Sequence, residues 1–278
     1  MFRLNLFRKL AAACGMTLLA TAPAWAALPC EEDPNLSRVF SQAGAQGTFV
    51  LLDGQTGALV CHDAPRAQVG FLPASTYKIP NSLIALETGV ASGPDFALRW
   101  DSRRAPRQDW WPRAWTQDHT LATALPNSVV WYYQELARRI GAARMQAYVD
   151  RFDYGNRNIG GRIDDFWLTG DLRISALQQV RFLQRFYTEK LGVSRRSTRI
   201  VKDALLLEAT DVYRLSGKSG WTGLEPAKDK QIGWLVGYLE RGGRVYFYAL
   251  NMRMAQLSDG PARQAITKAV LRQRGLMP

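Results

Sequence analysis

Two segments near opposite ends of the chain combine apolar and β-branched residues in short runs, a pattern that predicts β-strands. Residues 47–53 (GTFVLLD) end at an Asp-Gly pair, and residues 58–61 resume the apolar pattern after a polar turn, so we expect a hairpin. Residues 232–239 and 244–251 flank Arg241-Gly242-Gly243 and predict a second hairpin, whose long apolar strands should be buried.

The chain between these hairpins has helical periodicity. Residues 131–148 and residues 175–191 repeat apolar side chains at intervals of three and four, and each segment predicts one helix. Residues 262–274 predict a final helix. Strands from both ends that meet in one antiparallel sheet, with a helical segment inserted between them, make an α+β fold.

We therefore expect residues 27–278 to form a single domain in which helices flank an antiparallel sheet. The sheet lobe is predicted at about 27–80 and 170–278, and the inserted helical lobe at about 81–169. A chain of 278 residues is long enough to bury such a core. Small-molecule sites are commonly built in the groove between two lobes, so we expect the functional site there.

The first 26 residues follow the pattern of a secretory signal peptide. Arg3, Arg8 and Lys9 precede a short apolar run at 10–20, and Ala24-Trp25-Ala26 fits the small-x-small cleavage pattern. No later run reaches the roughly 18 apolar residues that suggest a membrane span. The sequence predicts cleavage after residue 26, export to the periplasm and no membrane anchor after cleavage.

The formal charge of the chain is +12, and loss of the three basic residues in segment 1–26 leaves +9. A charge of this size is compatible with binding to nucleic acid or to another anionic surface. The arginines are scattered through the predicted helices rather than clustered in runs, which favours a solvated basic exterior and no nucleic-acid partner.

Cys14 lies in the predicted signal segment, which leaves Cys30 and Cys61 as the pair exposed to an oxidising compartment. The sequence leaves open whether they form a disulfide or stay separate, because it does not give their Cα separation. The two histidines, His62 and His119, are too few for a multi-histidine metal site and are predicted at the surface or in loops. We expect no metal and no bound cofactor.

The segment 73–79 contains Ser75 and Lys78 in the pattern Ser-x-x-Lys. A spacing of three residues is about one helical turn, so the hydroxyl and the amine should share a helix face and can hydrogen-bond. A serine needs a nearby base to become nucleophilic, and a lysine acts as a base when apolar burial lowers its pKa. The pattern is weak alone, since many helices carry it on a solvated face.

Two further motifs follow in order along the chain. Ser128-Val129-Val130 precedes the helix predicted at 131–148, where a serine could simply cap the helix. Lys218-Ser219-Gly220 precedes the strand predicted at 232–239, where the lysine could simply face solvent. Ser-x-x-Lys, a second serine motif and Lys-Thr-Gly are the ordered signature of serine β-lactamases and penicillin-binding proteins, and here serine replaces the threonine.

With the segments 71–83, Tyr154-Gly155-Asn156 and 166–168 (FWL), these motifs resemble class D β-lactamases over essentially the whole of residues 27–278. The Tyr-Gly-Asn motif is the discriminating element, because it resembles the class D motif and the Ser-Asp-Asn motif of class A is absent. Without the other motifs it would indicate only a turn. The resemblance implies hydrolysis of the β-lactam amide through a serine acyl-enzyme, with resistance to penicillin-type antibiotics.

The resemblance also implies the chemical roles of individual residues. Ser75 is the nucleophile, and Lys78 carries a carbamate formed with carbon dioxide or bicarbonate and acts as the general base. Trp167 donates its indole N–H to that carbamate. Ser128 relays a proton to the leaving nitrogen, and Lys218 supplies positive potential beside it.

For substrate binding, the resemblance implies an oxyanion hole formed by the backbone N–H groups of Ser75 and Trp221. Arg263 is expected to grip the substrate carboxylate, with Ser219 lining the same region. The remaining roles concern apolar side chains: Val130 and Leu168 are expected to screen the modified lysine from water, and Trp115 to lie at the pocket rim.

Two alternatives share the same motifs or the same charge. A penicillin-binding protein, or the sensor domain of a β-lactam receptor, uses the same acylation residues but deacylates slowly. A basic exported protein that binds peptidoglycan or another anionic polymer explains the charge but leaves the ordered serine and lysine motifs without a role. Neither the substrate spectrum nor the oligomeric state follows from the sequence.

Overall fold

The computed structural model describes Met1, residues 30–223 and residues 231–278. The predicted signal segment 1–26 lies, apart from Met1, outside the described residues. The strands, in chain order, are β1 (Glu31–Glu32), β2 (Gly47–Asp53), β3 (Leu59–His62), β4 (Ala97–Leu98), β5 (His119–Thr120), β6 (Leu206–Ala209), β7 (Tyr213–Trp221), β8 (Ile232–Arg241) and β9 (Arg244–Arg253). Seven of them form one sheet in the order β1-β3-β2-β9-β8-β7-β6, and β4 pairs with β5 separately.

The helices lie on both faces of the large sheet and in the segment inserted between its strands. In chain order they are α1 (Pro34–Gln42), α2 (Ala64–Gln68), α3 (Lys78–Glu87), α4 (Leu121–Ala124), α5 (Val130–Ile140), α6 (Ala142–Arg151), α7 (Ala176–Tyr187), α8 (Arg195–Ala204) and α9 (Gly260–Gln273). This order of strands, helices and strands confirms the predicted α+β fold class.

Both predicted hairpins are confirmed. Strands β2 and β3 pair antiparallel around the 53–57 turn, and β8 and β9 pair antiparallel around Gly242 and Gly243. Both of these glycines have positive φ, the conformation that a tight turn requires and that glycine adopts most easily. Strand β2 also pairs antiparallel with β9, so the two ends of the chain meet in the centre of the sheet.

The alternation of side chains along β2 explains how one strand serves two cores. Phe49 and Leu51 belong to the cluster that includes buried residues of α1 and α9. Val50 and Leu52 belong to the cluster on the other face, which extends into α3, α5 and α7. Successive side chains of a strand point to opposite faces, so a strand that is apolar throughout is covered on both sides.

The prediction of one helix at 131–148 is wrong, because the chain forms α5 and α6 with Gly141 between them. Gly141 has φ +78°, outside the helical range, and its N–H closes the last turn of α5. The apolar spacing continues across the break, since Ile140 and Met145 are both buried. The sequence pattern therefore does not show that the helix ends at Gly141. The helix predicted at 175–191 is confirmed as α7, which begins with a capping box between Ser175 and Gln178.

The surface placement predicted for the two histidines is wrong for His119, which is only 3% exposed. Its ring nitrogens lie 2.6 Å from the Ala114 carbonyl oxygen and 3.0 Å from the Thr123 hydroxyl, so both are hydrogen-bonded within the protein. His62 lies on β3 and is half-buried. Cys30 and Cys61 form a disulfide with a Cα separation of 5.7 Å, where β1 meets β3.

Candidate active site

Ser75 lies in a single 3-10 turn, Ala74–Tyr77, which continues directly into α3. Ala74 has φ +48°, a left-handed conformation that is unusual for an alanine and is commonly found at functional sites. Strand β7 passes close to this turn, because a Cβ placed on Gly220 would lie 3.3 Å from the backbone nitrogen of Ser75. The glycine therefore allows two backbone segments to approach beside the serine.

The predicted contact between Ser75 and Lys78 is present. The Lys78 Nζ donates a hydrogen bond of 2.7 Å to the Ser75 hydroxyl oxygen. Lys78 is fully buried, and this burial, with a smaller contribution from the charge of Lys218, holds the pKa of its amine well below the usual range. Its Nζ also lies 5.5 Å from the centre of the Tyr133 ring. Burial of this kind favours the neutral form of the amine, which can accept a proton.

A second serine and lysine pair lies beside the first. The Lys218 Nζ donates to the Ser128 hydroxyl at 3.0 Å and to the Ser219 carbonyl oxygen at 2.9 Å. Burial, and then the charge of Arg263, lower the pKa of Lys218 to about 7. Lys218 is therefore a buried residue of β7, and the alternative that it faces solvent is wrong.

Ser128 does not cap the following helix. The residue at the cap position of α5 is Val129, which makes no side-chain capping hydrogen bond. Ser128 instead has φ +58°, which places its hydroxyl against Lys218 at the cost of an unfavourable backbone conformation. A helix-capping interpretation of this serine is therefore wrong.

Trp167 is fully buried next to the 3-10 turn that carries Ser75. Its carbonyl oxygen accepts a hydrogen bond of 3.0 Å from the Ala74 N–H, and its ring stacks on Tyr77 with 5.6 Å between centroids. Its indole Nε1 has no hydrogen-bond partner among the described residues. A buried N–H without a partner is rare in proteins and needs an explanation.

Both serines open onto a cavity of about 430 Å³. Of the predicted site residues, Trp115, Val130, Leu168, Ser219 and Trp221 also line it. Trp115 is only 6% exposed and belongs to the wall, whereas Trp110, which the sequence analysis did not single out, is 41% exposed. The other lining residues are Trp110, Pro112, Asn127, Gly220, Gly223 and Leu257.

Arg263 lies on the other side of Gly220. Its Nη1 donates to the Gly220 carbonyl oxygen at 2.6 Å, its Nε donates to the Gly260 carbonyl oxygen at 3.1 Å, and burial lowers its pKa to about 10. It lines a neighbouring cavity of about 380 Å³ rather than the one that contains Ser75. Ser219 and Leu257 line both cavities, so the guanidinium is adjacent to the candidate active site.

The Tyr154-Gly155-Asn156 motif positions the loop that carries Trp167. Gly155 has φ +61°, and a Cβ there would lie 2.0 Å from the Arg173 carbonyl oxygen, so only glycine fits. The Asn156 side chain donates to the Asp171 carbonyl oxygen at 2.8 Å and accepts from the Arg173 N–H at 3.0 Å. These bonds join the two ends of the loop at 156–173.

The sequence analysis missed Ala74, Trp110 and Gly220. Gly220 has a sequence signal, since a glycine inside a strand often marks a close backbone approach. Trp110 belongs to a segment rich in tryptophan and arginine, a composition that does not distinguish this side chain from its neighbours. The left-handed conformation of Ala74 has no sequence signal, because alanine rarely adopts it.

The described residues were compared with the requirements of a metal site and of a membrane-spanning helix. No group of three or more histidine, cysteine, aspartate or glutamate side chains in residues 30–223 and 231–278 is arranged to hold a metal ion. No helix in the described part of the chain is long and apolar enough to cross a membrane.

The chain is similar to proteins of known type over most of its length. The family of penicillin-binding protein transpeptidase domains matches residues 47–272. The chain is 43% identical to β-lactamase OXA-48 of Klebsiella pneumoniae over 249 residues, which cover 89% of this chain and 91% of that protein. The crystal structure of the class D β-lactamase YbXI from Nostoc has a TM-score of 0.82 and 42% identity, covering 87% of this chain and 99% of that chain.

A regulatory protein is also similar. The chain is 31% identical to BlaR1 of Bacillus licheniformis over 247 residues, which cover 89% of this chain but only 40% of that protein. The sequence identity to OXA-48 and YbXI is higher than the identity to BlaR1, and the match covers a larger share of those two proteins than of BlaR1.

Proposed function

The chain belongs to the class D serine β-lactamases, and we propose that it hydrolyses the β-lactam amide through an acyl-enzyme on Ser75, giving resistance to penicillin-type antibiotics. The observation that best supports this chemistry is the hydrogen bond of 2.7 Å between the Ser75 hydroxyl and the buried Lys78 amine. At this distance the Lys78 side chain, in the carboxylated form proposed below, would take the hydroxyl proton as the oxygen attacks the β-lactam carbonyl carbon.

The negative charge that develops on the carbonyl oxygen needs hydrogen-bond donors fixed in advance. We assign this role to the backbone N–H groups of Ser75 and Trp221. The support is the close approach of β7 to the 3-10 turn at Gly220, the residue that directly precedes Trp221 in the strand. A side chain at position 220 would push the two N–H groups apart.

Opening of the lactam ring requires a proton on the leaving nitrogen. Ser128 is our candidate donor, since its hydroxyl opens onto the cavity and is hydrogen-bonded to Lys218. With its pKa near 7, Lys218 can hold or release a proton at neutral pH, so it can resupply Ser128. Its charge, when present, also attracts the carboxylate of the substrate.

Release of the acyl group requires a base that activates water. We propose that Lys78 is carboxylated by carbon dioxide or bicarbonate, since the neutral amine is the form that reacts with carbon dioxide. The modification supplies a carboxylate-like base. Two observations fit it: Lys78 is buried with a lowered pKa, and the Trp167 Nε1 beside the same turn has no partner among the described residues. Trp167 would donate to the modified side chain, and Val130 and Leu168 would screen it from bulk water.

Recognition of the substrate carboxylate falls to the region of Ser219 and Arg263. The support is that Ser219 lines the cavities on both sides, and that the charge of Arg263 adds to burial, the larger cause, in lowering the pKa of Lys218. Trp115 supplies a flat apolar wall for the remainder of the substrate. The partners are thus β-lactam molecules rather than nucleic acid. The pattern of residues 1–26 supports export to the periplasm, where such substrates are met.

The second candidate function, slow deacylation as in a penicillin-binding protein or a β-lactam sensor, is favoured by the similarity to BlaR1. A rapid-mixing assay with a chromogenic cephalosporin separates the two. Sustained turnover over many equivalents supports hydrolysis, whereas a burst of one equivalent followed by a flat trace supports a sensor or penicillin-binding protein. The absence of both turnover and a burst in the wild-type protein would contradict both.

A further inference from the structure

A second cavity, of about 510 Å³, lies behind the aromatic wall of the candidate active site. It is formed by the loop at 98–111 and the outer face of α5, and its size is within the range of small-molecule sites. It shares no lining residue with the cavity that contains Ser75. The catalytic proposal therefore gives it no role.

The charges around this second cavity favour an anion. Four arginines and two acidic residues line it, which leaves an excess of two positive charges; these residues are Arg99, Arg104, Arg138, Arg139, Asp101 and Glu135. Glu135 is already bound by two of the arginines, at 2.9 Å from Arg138 and 2.7 Å from Arg139. Arg138 also pairs with Asp164 at 2.8 Å, so the charges at this end of the cavity largely compensate one another.

The arginines of the loop are the ones available to a ligand. Asp101 lies 3.8 Å from Arg104, beyond hydrogen-bond distance, and accepts instead from the Arg103 N–H at 2.8 Å. Within the described part of the chain, the Arg99 side chain makes no hydrogen bond or ion pair. Arg99 has no carboxylate partner and Arg104 has only the distant ion pair with Asp101, so both guanidinium groups can bind a ligand carboxylate in bidentate geometry.

The floor of the cavity is aromatic, and a donor without a hydrogen-bond partner in the described part of the chain is buried beneath its surface. Trp111 is only 8% exposed, and its indole Nε1 has no hydrogen-bond partner among the described residues. Trp131 also lines the cavity, but its Nε1 is already bonded to the Trp115 carbonyl oxygen at 2.7 Å. An aromatic surface beside arginines suits a ligand that has both an apolar body and an anionic group.

We propose that this cavity is a second binding site, for an organic carboxylate that carries an aromatic ring. The site is separated from the candidate active site by a wall one residue thick. Trp110 and Val130 line the first cavity, and their chain neighbours Trp111 and Trp131 line the second. The Trp111 ring lies 5.4 Å from the Trp115 ring, so a ligand behind the wall contacts side chains that touch the substrate-side tryptophans.

The test uses benzylpenicilloate, the ring-opened form of benzylpenicillin, as a probe in isothermal titration calorimetry. It has two carboxylates and a phenyl ring, and no β-lactam bond is left to react. The double variant Arg99→Gln with Arg104→Gln removes both available guanidinium groups. The matched control, Arg103→Gln with Arg107→Gln, removes two exposed arginines of the same loop that do not line the cavity.

We expect the wild type and the control to share a binding component that weakens about tenfold or more in the Arg99 and Arg104 variant, as loss of charge-assisted hydrogen bonds predicts. Circular dichroism checks that all three proteins are folded. Equal weakening in both variants would mean a general charge effect and would overturn the site. A titration that is insensitive to Arg99 and Arg104 would overturn it as well. Because the probe does not react, failure of the hydrolytic function would leave this outcome unaffected.

Discussion

Two buried serine–lysine pairs face the same cavity, and the protein builds them in different ways. Ser75 and Lys78 are three residues apart at the start of α3, so a single helical turn brings them into contact. Ser128 and Lys218 are ninety residues apart, and only the packing of β7 against the segment before α5 joins them. The first pair is a local structure, whereas the second depends on the whole fold.

The two lysines also differ in charge. The pKa of Lys78 lies well below the usual range because the side chain is fully buried and Lys218 is nearby. The pKa of Lys218 is lowered to about 7, which leaves it poised between charged and neutral at physiological pH. The difference suggests a division of labour in which the local pair forms and breaks the covalent bond and the tertiary pair moves a proton and attracts the substrate.

The largest expected effect separates the two serines. Ser75→Ala should lower turnover by roughly 10⁴-fold or more and abolish the acylation burst, because the nucleophile is lost. Ser128→Ala should slow turnover by roughly 10²–10⁴-fold, as loss of a proton donor predicts, but keep a slow stoichiometric acylation. Mass spectrometry of the covalent adduct distinguishes the two. Acylation of Ser75→Ala would refute the assignment of the nucleophile.

The next effect concerns carboxylation of Lys78. Trp167→Phe removes the N–H but keeps an aromatic ring, so the variant should need roughly 10- to 100-fold more bicarbonate for half-maximal activity. Its thermal stability should fall only by the cost of the smaller ring in a buried site, because this N–H has no partner among the described residues to lose.

Trp234 offers a matched control for that variant. Its Nε1 is bonded to the Leu72 carbonyl oxygen at 2.9 Å, so Trp234→Phe should lower stability and leave the bicarbonate requirement unchanged. If neither Trp167→Phe nor the degassed wild type depends on bicarbonate for activity, an unmodified Lys78 would instead be favoured as the base.

A smaller effect is expected from the titration of Lys218. This side chain is protonated below its pKa of about 7 and becomes neutral above it, so kcat/KM should fall roughly tenfold as the pH rises through this value. Lys218→Arg keeps the charge at high pH and should move that fall to higher pH. Lys190→Arg, on the surface, should leave the profile unchanged. A profile that is the same in all three proteins would remove the electrostatic role of Lys218.

The smallest effect is on stability. Burial lowers the pKa of both lysines in the folded state, so between the folded and unfolded pKa values the unfolded chain binds more protons and stability rises with pH. Lys78→Met removes one buried amine and keeps an unbranched side chain, and it should raise stability by roughly 0.5–2 kcal/mol while abolishing turnover. Thermal melts at two pH values test this. A lower melting temperature for Lys78→Met would show that the amine is stabilising.

The sequence indicated correctly those features that depend on neighbouring residues. The two hairpins and the helices α7 and α9 follow from apolar spacing and turn residues. The contact between Ser75 and Lys78 follows from helix geometry alone. The motifs also indicated the family, because each preserves a short run of residue types in a fixed order.

The tertiary structure decided what depends on residues distant in sequence. It buries Lys218 against Ser128, places Arg263 behind Gly220, and leaves the indole N–H groups of Trp111 and Trp167 without partners among the described residues. Burial and pairing are properties of the packed chain. Desolvation lowers the pKa of a lysine only after segments distant in sequence have packed together and excluded water. Local spacing sets where a side chain points along its own helix or strand, whereas the fold determines which groups meet it there.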